Sequence, residues 1–72
     1  MTHGVNDQFY RRALRNAKTL FPGDLDTARR WAFEEAHFYT WGALPEDHRL
    51  IERVDEVDGS YIFIQFDSGA TN

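Results

Sequence analysis

Apolar residues recur along the first third of the chain at helical spacing. Phe9, Tyr10, Ala13, Leu14, Ala17, Leu20 and Phe21 fall on one face, and Gln8, Arg11, Arg12, Arg15 and Lys18 fall on the other. Asn6 suits the N-cap, because its side-chain oxygen can accept from the free amides of the first turn. Asp7 sits well against the positive end of the helix dipole. Pro22 and Gly23 then stop the helix. A second helix is expected to start near Asp24 or Asp26 and to run to about Thr40, with Gly42 as its stop. Leu25, Ala28, Ala32, Ala36 and Tyr39 form its core stripe, widened by Trp31 and Phe38. The other side holds Arg29, Arg30, Phe33, Glu34, His37 and Trp41, which reads as a polar face toward solvent. The short connection predicts an antiparallel helical hairpin.

The pattern changes after Gly42. Leu50, Ile51, Val54 and Val57 fit a helix face, and Pro45 would suit its first turn. The next run, Tyr61 to Phe66, is strongly β-prone and needs a partner strand. Asp58-Gly59 is a strong hairpin turn signal, since both central residues of that turn adopt positive φ. Two antiparallel strands, about 49–57 and 60–67, are therefore preferred. A two-residue turn sets Ile62 opposite Asp55, Ile64 opposite Arg53 and Ile51 opposite Phe66. The imperfect alternation calls for a bulge near Val54–Val57. The expected fold is α+β with element order α-α-β-β, in a single small domain over residues 1–72, with 68–72 as a flexible tail. The runner-up is three helices and one edge strand.

Composition narrows the function. The chain of 72 residues has no cysteine, which excludes disulfides and thiolate chemistry. No apolar run approaches the roughly 20 residues of a membrane helix, and MTHGVNDQFYRR lacks a signal-peptide core. The expectation is a cytoplasmic protein that does not enter a membrane. Eleven aromatic residues supply much burial per residue, as a small core requires. The net charge of −4 is uneven: residues 1–30 carry +3 and residues 31–72 carry −7. The chain thus has a basic and an acidic end.

Candidate chemistry follows from that division. Asp55, Glu56 and Asp58 lack the twelve-residue ligand pattern of an EF-hand, so they read as a hairpin tip rather than a calcium loop. DEVDG also matches the tetrapeptide after which executioner caspases cut, but a tight hairpin denies the extended strand that cleavage needs. Glu34 and His37 have the Glu-x-x-His spacing of di-iron bundles in one copy, and His48 with Glu46 and Asp47 could add ligands. Nothing in the sequence makes these converge, so no metal, cofactor or catalytic residue is assigned and the protein is not expected to be an enzyme. Glu46, Asp47, Glu52, Asp55, Glu56 and Asp58 are the expected contact surface, because carboxylates on a hairpin can imitate a row of phosphates or meet a basic groove. Phe33, about 100° round the helix from the core stripe, and Trp41 are candidate aromatic contacts; their exposure would imply a protein partner or a homodimer. Arg11, Arg12, Arg15 and Lys18 form an alternative face for nucleic acid, against an overall acidic chain.

In size, acidic charge, absence of cysteine and absence of a catalytic motif, the chain resembles the small single-domain anti-CRISPR and other anti-defence proteins of phages. The acidic PEDHRLIERVDEVDG is part of that likeness. The resemblance spans the whole chain through these traits and carries no residue roles. It implies stoichiometric inhibition, with acidic side chains occupying a surface that normally holds nucleic acid. A small DNA-binding regulator using the basic first helix is the alternative.

Overall fold

Two side-chain caps start the helices. In the computed structural model, which describes residues 4–66, the Asn6 carboxamide accepts from the amides of Gln8 and Phe9 and opens α1, Asp7–Leu20. The Asp24 carboxylate accepts from the Thr27 amide and opens α2, Leu25–Trp41. Hydrogen bonding from the Thr27 side chain, then from its amide, holds the Asp24 carboxyl below its ordinary range. Gly42, at φ 82°, closes α2 with its amide on the Phe38 carbonyl. This left-handed position carries no Cβ penalty at glycine. The helices run antiparallel, and their far ends are tied. The Asn6 amide donates to the Thr40 hydroxyl at 2.9 Å, and that hydroxyl donates to the Ala36 carbonyl at 2.7 Å.

Small residues line the seam between the helices. Ala13 and Ala17 of α1 and Ala28, Ala32 and Ala36 of α2 are buried. Trp31 and Ile51 complete the centre, with Leu14, Phe21, Leu44, Leu50, Val54 and Phe63 packed around them. The predicted core stripe of α2 needs one correction. Leu25 and Tyr39 are exposed, as is Leu20 of α1. Leu20 and Leu25 flank the interhelical turn, which places them at one end of the helix pair.

The chain then forms β1, Ile51–Val57, and β2, Ser60–Gln65, in a two-stranded antiparallel sheet. The α-α-β-β order and the α+β class are therefore as expected from the sequence. Residues 43–50 hold no helix, so the three-helix alternative is set aside. The turn at Asp58 and Gly59 has φ of 52° and 81°. Ile62 pairs with Asp55 and Ile64 with Arg53, as the two-residue turn requires. The register then differs from expectation: Ile51 pairs with Gln65, and the irregularity falls between Ile51 and Arg53 rather than near Val54–Val57. The extra residue is Glu52. It lets Ile51 turn into the core, where it is fully buried, while the rest of β1 keeps its phase. Phe66 follows β2, and its amide donates to the Leu50 carbonyl. The expected tail at 68–72 lies outside the described residues.

Candidate protein-interaction surfaces

The hairpin is held by one side chain. Glu34 is 0% exposed, although the sequence placed it on the solvent side of α2. Its carboxylate accepts from four donors: Arg30 Nε at 2.7 Å, the Arg49 amide at 2.8 Å, the Leu50 amide at 3.1 Å and the Ile51 amide at 2.9 Å. Residues 49–51 would otherwise present three free N–H groups at the entry to β1. Burying a carboxylate costs roughly several kcal/mol of hydration, which charge-assisted hydrogen bonds on both oxygens can return. Arg30 extends the clamp. Its Nη2 reaches the Asp47 carbonyl at 2.6 Å and the Asp47 carboxylate at 3.2 Å. Burial alone would lower the Arg30 pKa, but the bonds and charges of Glu34 and Asp47 outweigh it and raise it. The hydrogen bond from Arg30, then its charge, holds Asp47 below the ordinary carboxylate range.

This arrangement dissolves the Glu34–His37–His48 constellation. Glu34 has its oxygens engaged by the clamp. His37 Nδ1 lies 2.7 Å from the Ala43 carbonyl, and His48 Nδ1 lies 2.6 Å from the Ile51 carbonyl. A carbonyl only accepts, so Nδ1 carries the proton in both rings. Among the described residues, no three His, Asp or Glu side chains are placed to hold a metal ion.

With its base clamped, the hairpin presents two unlike faces. Side chains alternate along a strand. Val54, Phe63 and Tyr61 face the helices, where Phe63 meets Phe38 at 5.7 Å and Tyr39 at 5.6 Å between ring centroids. The opposite face carries Arg53 with Ile64, Asp55 with Ile62 and Val57 with Ser60. Among the described residues no element covers it: Val57 is 50% exposed and Ile62 is 45% exposed.

The six predicted carboxylates do not act as one group. Asp47 is drawn to Arg30 beside α2. Arg53 holds Asp55 at 3.2 Å and approaches Glu52 at 3.8 Å. Glu56 and Asp58, toward the tip, have no cationic partner among the described residues, and neither does Glu46 in the loop. Asp58 lies roughly 20 Å along the hairpin from Ile51. The acidic surface that remains unneutralised is thus the tip: Asp58 in the turn, and Glu56, which lies across from Tyr61 on the helix-facing side and is exposed there.

The candidate aromatic contacts form a stripe along α2. Phe33, His37 and Trp41 follow one another at four-residue spacing, with ring centroids 5.9 Å and 6.4 Å apart. Trp41 is 61% exposed, whereas Phe33 is half-buried under the Arg30 guanidinium, 5.4 Å from its ring centre. On α1, Arg11 pairs with Asp7 at 3.0 Å. Arg12, Arg15 and Lys18 have no carboxylate partner among the described residues.

Sequence reasoning missed Glu35. This side chain is 8% exposed and reaches a small cavity between α1 and α2 lined by Phe9, Arg12, Ala13 and Tyr39. One oxygen accepts from the Trp31 indole at 3.0 Å. Burial pushes the Glu35 carboxyl above its ordinary range, and the indole bond only partly offsets this. Burial, then the charge of Glu35, likewise raises the Tyr39 hydroxyl. Helical periodicity could have flagged the position, because Glu35 falls between Ala28, Ala32 and Ala36 on the inward side. No family model, curated protein or solved structure matches the chain.

Proposed function

We propose that this is a non-catalytic protein-binding protein, a stoichiometric inhibitor in the manner of anti-CRISPR proteins. Its hairpin docks on the basic surface of a nucleic-acid-binding protein or complex. One observation carries the reading. Among the described residues no element covers the outer face of the hairpin, where Val57 and Ile62 are about half exposed, and no cation pairs with Asp58 in the adjoining turn or with Glu56, exposed on the other side of the tip. Apolar side chains supply affinity in such an arrangement, while the carboxylates speed and orient association.

The test is a tagged pull-down from nuclease-treated host lysate at low and moderate salt, repeated with variants. Glu56→Lys with Asp58→Asn alters the tip charge but keeps a residue tolerant of positive φ in the turn. Ile62→Ser removes the apolar contact. Recovery of a defined nucleic-acid-binding partner, weakened about tenfold by the tip variant with the thermal transition unchanged, is expected. Partner recovery that neither variant alters would sink the hairpin as the contact surface.

A second reading has its own observation: Arg12, Arg15 and Lys18 along α1, which have no carboxylate partner among the described residues, suit the phosphates of DNA in a small regulator. A salt-sensitive gel shift lost in Arg15→Ala with Lys18→Ala, with no protein partner recovered, would favour it.

A further inference from the structure

We infer that the cavity between α1 and α2 is a receptor for a primary ammonium group, the head of a lysine side chain on a partner protein or of a free amine. The cavity measures about 70 Å³ and is lined by Phe9, Arg12, Ala13, Glu35 and Tyr39. That is room for a few water-sized groups. It suits an ammonium and its last methylene, and is too small for a sugar or a nucleotide base.

Its chemistry is set by Glu35. The side chain is more than nine-tenths buried, and only one oxygen is engaged, by Trp31. Among the described residues, no fully enclosed side-chain oxygen or nitrogen lacks a hydrogen-bond partner. The second Glu35 oxygen, which has none, therefore opens to the cavity. The rings of Phe9 and Tyr39, 5.7 Å apart between centroids, contribute walls. Aromatic faces and a carboxylate in one small space favour a cation and reject an anion. A desolvated carboxylate lacking a countercharge gains most when one arrives.

Arg12 is the internal competitor. It lines the same cavity but is exposed, and it forms no ion pair with Glu35. Its charge at the mouth opposes an incoming ammonium. The two residues therefore have opposite signs in binding, which a purely structural role for either would not produce. The cavity lies on the helical pair, so this proposal stands apart from the docking of the hairpin tip.

The experiment is an NMR titration of the full chain with methylammonium chloride and with Nα-acetyl-lysine methylamide, each against sodium chloride at equal ionic strength. The expected result is saturable shifts at the Glu35 carboxyl carbon, the Trp31 indole N–H and the Tyr39 ring. Glu35→Gln, which keeps an oxygen for the indole, should abolish them. Arg12→Gln, on the surface, should tighten binding roughly fivefold. Tighter binding of the lysine derivative than of methylammonium identifies a protein-borne lysine, and equal binding identifies a free amine. Shifts no larger than those with sodium chloride, or shifts that persist in Glu35→Gln, would overturn the proposal.

Discussion

Glu34 and Glu35 are neighbours on α2, and both are buried, yet they sit in opposite circumstances. Glu34 points toward the 43–50 loop and accepts from four donors, three of them consecutive backbone amides. Glu35 points toward α1 and accepts from one indole, with its second oxygen open to a cavity. Successive helix positions differ by about 100°, so the two carboxylates meet different neighbours. The first joins the hairpin to the helices. The second leaves a desolvated charge with an open side. Burial of a carboxylate is thus informative only together with its donors.

Removing the clamp should show the largest effect. Glu34→Ala leaves Arg30 and three amides without their acceptor, at a cost of about 3–5 kcal/mol. That is comparable to the whole stability of about 5 kcal/mol expected at the low end for a domain this small. The expected outcome, read by circular dichroism in urea, is a chain unfolded or nearly so in buffer. A variant with a near-native urea midpoint would break the comparison at its stronger half.

The indole bond comes next. Trp31→Phe removes the indole donor to Glu35 and a little core volume, and should cost about 2 kcal/mol. Combined with Glu35→Gln, the cost should fall by about 1 kcal/mol, because no charge is then stranded. Additive effects would mean that Trp31 matters through packing alone.

The smallest effect has the opposite sign. The Glu35 carboxyl is raised by burial, and Arg12, Tyr39 and, beyond it, Tyr61 are the titratable or charged groups around it. A raised carboxyl contributes stability that is fully present below its unfolded value and lost as pH rises through the folded one. Once ionised, the side chain therefore destabilises the fold. Glu35→Gln should raise the melting temperature at neutral pH, and the gain should vanish in acid. Asp47, lowered by Arg30, runs the other way, with stability present above its unfolded value and lost as pH falls through the folded one. A Glu35→Gln variant less stable than the parent at pH 7 would place Glu35 with Glu34 as an anchor.

Much of the fold was legible because it is locally encoded. Asn6, Asp24 and Gly42 end helices through bonds within one turn. Asp58-Gly59 specifies the hairpin turn through two positive φ values. The bulge was misplaced because alternation along β1 cannot show which single residue steps out of register. Ile51 decides it, by entering a core assembled from both helices. The acidic surface was legible as composition, but its division was not. Arg53 and Arg30 each claim carboxylates, one within the strand and one across 17 positions of sequence.

The sequence by itself determined the element order, the caps, the turn and the charge asymmetry, since each depends on residues a few positions apart. Only the tertiary structure decided the fates of Glu34 and Glu35. A helical period records which side of α2 a residue takes, but not what folds against that side. The 43–50 loop covers the side that composition marked as polar, and its amides make a carboxylate stable there. Across the helix, the small side chains that let α1 approach leave a cavity at Glu35.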